Sequence, residues 1–280
     1  MTDSQPLLRA ARPHTSGRFA TLLPSMLSDN FRHRLRAASI HLGLSALVAV
    51  MASCLVFFVW YPAPFATMAG GTHLFLLLVS VDVVMGPALT AVVASGTKPR
   101  RELVRDLCMI VMLQLAAFGY GLYSMALARP VALVFEIAEF RVVSAAEIEP
   151  ASLDDAPANL RALSWRGPRL IAAAKPTDPQ EMLRTVELSL AGIPLSAMPR
   201  YWRDYSAYTD AAWRAARPVA ALLTKYPASN DALALMAASA GQPVSALRFL
   251  PLRARRAEWV TVIAAPDSRV VGHLPLDGFF

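Results

Sequence analysis

LFLLLVSVDVVMGPALTAVVA, Leu74 to Ala94, is apolar enough to dissolve in a lipid bilayer, yet carries a carboxylate, Asp82, near its middle. As an α-helix its 21 residues reach roughly 31 Å, the thickness of a hydrocarbon core. Two other runs match it, Ile40 to Tyr61 and Leu107 to Leu127, in a chain of 280 residues that is 55% hydrophobic and only 17% charged. The fold class expected is therefore a membrane protein with three transmembrane α-helices, and the sequence after Leu127 forms a separate domain.

The first run does not read as a cleaved signal peptide. Its charged leader is nearly forty residues long, and its apolar core exceeds a secretory h-region of about 7–15 residues. Nor does Met51-Ala-Ser-Cys54 read as a lipoprotein site, because apolar sequence continues past the cysteine. Cys54 and Cys108 both fall within spans and read as small, lipid-compatible side chains.

Basic residues of short loops set the orientation. Arg32, Arg34 and Arg36 precede the first span, and Lys98, Arg100, Arg101 and Arg105 lie between the second and third, whereas Pro62 to His73 has no Lys, Arg, Asp or Glu. The N-terminus is expected in the cytoplasm and everything after Arg129 outside. Residues 1–129 hold 11 basic and 5 acidic side chains, a net of +6, against 16 and 15, a net of +1, for 130–280. The basic excess is thus a topology signal, and nucleic-acid binding is unsupported.

Residues 1–27 have no sustained period and read as a flexible basic cytoplasmic leader. A helix start at Ser28 feeds a three-helix transmembrane domain over 28–129. Residues 130–280 read as one α+β domain outside the membrane. It opens with VALVFEIAEFRVV, Val131 to Val143, alternating as a strand does. Helices are expected over Asp178–Ala191 and, interrupted at Pro218, over Tyr208–Lys225. The tail forms a hairpin around Pro266-Asp267-Ser268, and the terminal strands are candidates to pair.

That domain carries little chemistry. It has no cysteine and one histidine, His273, and metal-ligand spacings, nucleophile elbows and glycine-rich phosphate loops are absent from it. No catalytic residue, metal or cofactor is implied. Arg200, Tyr201, Trp202, Tyr205 and Tyr208 form the one cluster with the composition of a binding anchor, to be weighed against ordinary packing.

A charge at the depth of Asp82 costs about 2.5 to 3.5 kcal/mol on insertion scales, so it turns toward protein, finds a partner or is protonated. Leu78, Asp82, Gly86 and Thr90 recur at i+4 spacing, with Pro87 placed to bend the helix. Ser45, Ala49 and Ser53 form a small-residue stripe on the first span, and Gln114 and Tyr120 are polar groups on the third. Asp82 either closes a three-helix bundle internally or receives a polar group from another membrane helix.

VWYPAPF (Val59–Phe65), LLLVSVDVVMGPALT (Leu76–Thr90), QLAAFGYGLYSMALARPVALVFEIAEFRVV (Gln114–Val143) and RFLPL (Arg248–Leu252) together resemble the TfpX/TfpZ group of type IV pilin accessory proteins. The resemblance runs from about Phe31 to the C-terminus. It implies a non-enzymatic accessory factor of the bacterial inner membrane, with a periplasmic domain and the major type IV pilin as partner, aiding pilin stability or assembly. A membrane enzyme modifying pilin, for example by glycan transfer, and a sensor of pilus production are the alternatives. None of the matching motifs is catalytic.

Overall fold

The computed structural model describes residues 19–94 and 98–280, with the backbone alone for 19–30. Among them, three helices are long and apolar enough to cross a membrane: Phe31–Trp60, Gly71–Val93 and Arg100–Ala128. The first belongs to α1 (Phe19–Cys54), which continues as a π-helical stretch, Leu55–Trp60. A one-turn helix, α2 (Phe65–Met68), follows. The second span consists of α3 (Gly71–Ser80), a π turn over Val81–Met85, and α4 (Gly86–Val93). The third is α5 (Arg100–Ala128).

α1 starts nine residues ahead of the Ser28 boundary, so residues 19–27, expected to be a flexible leader, are helical. Extending a helix that already exists needs no new nucleus, and Ala20, Leu22 and Leu23 are good helix formers. The rest of the expected leader lies outside the described residues.

The chain divides into two compact units, and the boundary falls within the long helices, not at residue 130. One unit holds residues up to Ala46 together with Val81–Ala116. The other holds Leu47–Ser80 and Ala117–Phe280. In this second unit, one half of each long helix and the loop joining the first two are built together with the sheet.

That sheet has eight strands: β1 (Pro130–Glu136), β2 (Glu139–Ser144), β3 (Arg169–Ala173), β4 (Trp202–Asp204), β5 (Arg217–Pro218), β6 (Leu247–Arg253), β7 (Glu258–Ala264) and β8 (Arg269–Leu274). The order is β4-β3-β1-β2-β6-β7-β8, with β5 paired to β6. It is mixed: β1–β3 and β2–β6 are parallel and the other pairs antiparallel. Helices α6 (Pro179–Leu190), α7 (Thr209–Ala215), α8 (Ala220–Lys225) and α9 (Asn230–Ala240) complete the domain.

Two expectations change here, and a third is sharpened. Val131 to Val143 is a hairpin, not one strand, because the chain reverses at Ile137 with φ of 59° and Ala138 N donates to Glu136 O at 2.7 Å. A β-branched residue avoids positive φ, and no Gly, Asn or Asp announces the turn. Ile137 is solvent-exposed, so Ile137→Gly should raise stability by about 1 kcal/mol, read by chemical denaturation, because the left-handed penalty disappears. The helix expected over Tyr208–Lys225 is interrupted at Pro218, as its sequence implies, leaving two short helices, α7 and α8. Pro218 has no N–H and biases Arg217 to extended backbone, so the two residues pair with Arg248 and Phe249 as an edge bridge. Finally, the terminal hairpins do not pair; β6, carrying RFLPL, lies between β2 and β7.

Other expectations hold. α6 is capped by Asp178, whose side chain accepts from Glu181 N at 2.9 Å, and β7 and β8 form the tail hairpin. Both faces of β1 are buried, which is why its sequence is almost continuously apolar. Val131, Ala132 and Val134 join Val143, Ile171 and Trp202 in one core cluster, while Leu133 and Phe135 join Phe140, Leu250 and Leu252 in another.

Candidate functional site

The unit containing Asp82 gathers polar groups from three helices. His41 Nδ1 lies 2.6 Å from Thr90 Oγ1, and Gln114 Nε2 donates to the Asp82 carbonyl oxygen at 3.5 Å. Gly86 permits this meeting: a Cβ there would collide with Gln114 Nε2 and lie 2.9 Å from His41 Nε2. Gly86 and Thr90 are buried, whereas Asp82 and Pro87 are half-buried.

The local sequence explains the geometry. Asp82 sits eleven residues from either end of Gly71–Val93, within the π turn. Residue 87 would donate to the carbonyl of Val83 in an α turn or of Asp82 in a π turn, but proline has no N–H. A widened turn accommodates the ring, and the Gln114 amide supplies a substitute donor. The result is an unevenly bonded, polar stretch of backbone in an apolar helix, able to accept a hydrogen-bonding group brought by another helix. Gly86→Val should lower the melting temperature of the full chain in detergent by an amount equivalent to about 1–3 kcal/mol through overpacking. An unchanged melting temperature would mean that the approach is not close.

His41 was not among the residues expected here. Its signal was present, because stepping back four residues along the Ser45, Ala49, Ser53 stripe lands on His41. Ser45 is buried, as the stripe implies. Ser53 and Tyr120 belong to the other unit; Ser53 is half-buried, and Tyr120 is 73% exposed, on the outward surface of α5 and not on a packed face.

In the second unit, the loop between the first two spans is anchored at several points. Tyr61, fully buried, donates its hydroxyl to Met125 O at 2.8 Å and lies against Gly71, where a Cβ would come within 2.6 Å of the ring. Met68, also fully buried, enters the cluster of Leu133, Phe135 and Leu250. Phe65 meets His273 edge to face, with ring centroids 5.5 Å apart. Gly167 N donates to Val59 O at 2.8 Å.

His273 also contacts the buried Thr261 hydroxyl at 3.1 Å, and burial pushes its pKa down from 6.5 to about 4. A histidine held neutral by the fold adds no pH dependence above about 6.5. Below that the unfolded chain takes up a proton first, so stability falls progressively toward pH 4 and then levels, a loss on the order of 3 kcal/mol. Stability measured across this window should be flatter in His273→Gln.

The aromatic and basic cluster expected as a contact surface is mostly core. Tyr201, Trp202 and Tyr205 are buried; Trp202 Nε1 donates to Ser196 O at 2.8 Å and Tyr205 Oη to Ser268 O at 2.9 Å. Trp202 starts the edge strand β4, and it belongs to the buried cluster of Val131, Ile171 and Tyr201. Arg200, 3.8 Å from Glu181, stays on the surface and Tyr208 is half-buried.

Three helices long and apolar enough to cross a membrane, followed by a mixed sheet, define the class of protein by length and composition. Comparison then gives its family. The family described as "Fimbrial assembly protein FimB" matches residues 29–70, the stretch carrying His41, Tyr61 and Met68. "Fimbrial assembly protein, serogroup I" of Dichelobacter nodosus is 33% identical over 256 residues, covering 91% of this chain and 99% of the relative. The serogroup E1 protein is 32% identical with the same coverage. The protein of serogroups C1 and C2 is 40% identical over 123 residues, 44% of this chain and 94% of its own length. The chain belongs to the fimbrial assembly protein family. No solved structure matches it.

Proposed function

We propose that this chain is an inner-membrane accessory factor for type IV pilin, with its N-terminus in the cytoplasm and its sheet domain in the periplasm. It holds a pilin by both membrane helix and head before or during pilus assembly. The observation that carries this reading is the second unit, in which helix halves, the Tyr61–Gly70 loop and the sheet share buried clusters. Such a body offers one continuous surface across the outer leaflet and the space beyond it, suited to a partner that itself consists of a membrane helix and a soluble head. The Asp82, Gly86, Gln114 and His41 cluster is the candidate polar contact for the partner helix. Membership of the fimbrial assembly family and the basic loops flanking the spans support the assignment and the orientation.

Photocrosslinking in living cells tests it, with the probe at Val84, beside Asp82, and at Arg200 and Tyr208. Pilin adducts from Val84 and from either outer position are expected. With the protein inserted and expressed normally, absence of any pilin adduct would remove direct pilin binding.

A further inference from the structure

One end of the sheet meets the helices. β1 starts two residues after α5 ends, Ala145 N beyond β2 donates to Arg129 O at 3.0 Å, and Gly167, just before β3, is bonded to Val59. At this end Trp60 and Trp165 have ring centroids 6.5 Å apart, Trp165 is 63% exposed, and the Arg129 guanidinium stands 4.5 Å over its ring. Tryptophan gathers at the headgroup level of a bilayer. The tip between β6 and β7 reaches the same level, since Arg256 covers Gly70 so closely that a Cβ there would lie 2.8 Å from its Nε.

Between that tip and the end of β2 is a cavity of about 340 Å³ lined by Arg141, Ser144, Glu147, Arg253 and Arg255. Its acidic neighbours are engaged. Glu147 accepts from Ser144 N at 3.0 Å and Ser144 Oγ at 2.7 Å, and Glu139 takes both Nε and Nη2 of Arg253 at 3.2 Å. Arg141 and Arg255 have no carboxylate partner among the described residues.

We propose that Arg141 and Arg255 bind the phosphate of a phospholipid headgroup in the leaflet on the sheet-domain side. Guanidinium groups match phosphate oxygens in paired hydrogen bonds, and the cavity has room for a phosphoglycerol while the acyl chains remain in the bilayer. The site seats the sheet domain against the membrane. The proposal rests on the membrane placement given under Proposed function.

The test uses the full chain in neutral detergent, titrated with short-chain phosphatidylglycerol or with inorganic phosphate, and read by native mass spectrometry and thermal shift. Arg141→Gln with Arg255→Gln should weaken lipid binding by about thirty-fold, from roughly fivefold per arginine at a membrane surface. The double lysine variant should weaken it less, and Arg184→Gln on α6 should leave it unchanged. Equal binding by the glutamine pair, with its fold intact by circular dichroism, would overturn the site, as would equal loss in Arg184→Gln. Inorganic phosphate binding as tightly as the lipid would overturn the lipid as its source. Protease accessibility of the sheet domain in spheroplasts separately tests membrane orientation, so the two ideas fail by different results.

Discussion

Met68→Asp should unfold the second unit. Met68 is fully buried among Leu133, Phe135, Phe140 and Leu250, on a turn that leads from one span to the next. Truncating such a side chain to alanine costs about 2–5 kcal/mol, and leaving an unpaired carboxylate in its place costs more. Against a typical total of about 5–15 kcal/mol, little stability would remain. The expected result is a chain that fails to accumulate in membranes, while Met68→Leu, conserving volume, loses less than about 1.5 kcal/mol. If the aspartate variant denatured at the same urea concentration as the leucine variant, the loop would not be docked on the sheet.

Tyr61→Ala should come next in severity, at about 3–5 kcal/mol for removing a fully buried aromatic ring. The ring fills the space over Gly71 and the hydroxyl satisfies the carbonyl of Met125, near the end of α5. Tyr61→Phe separates these contributions, because it keeps the ring and should cost only about 0.5–1.5 kcal/mol for the lost hydrogen bond. Equal effects of the two variants would place the stabilisation in the hydroxyl and contradict the packing account.

These sites show where the sequence was legible. The three spans could be read directly, because about 20 consecutive apolar residues have few other uses. Asp178 and the helix after it, and the hairpin at Pro266-Asp267-Ser268, were equally plain, since caps and turns depend on near neighbours in the chain. The turn at Ile137 was not, because its residue type argues against the backbone it adopts. The Arg200 to Tyr208 stretch left two readings open for a related reason: Tyr, Trp and Arg serve cores and contact surfaces alike, and burial chooses between them. Among the apolar helices, Gly86, Thr90 and Gln114 stand close together with His41, whereas Ser53 and Tyr120, expected on the same face, lie in the other unit; the sequence marks His41 only by its spacing of four from Ser45.

Composition and local spacing therefore determined the three long apolar helices and the mixed strand-and-helix character of the sequence after them, because these depend on solvent preference and periodicity within short windows. Tertiary structure alone decided that Pro62 to Gly70 docks on the sheet, that β6 separates the terminal hairpins, and that Arg141 and Arg255 share a cavity. Each of those joins residues more than a hundred positions apart, and such contacts follow from how whole elements cover one another's apolar faces.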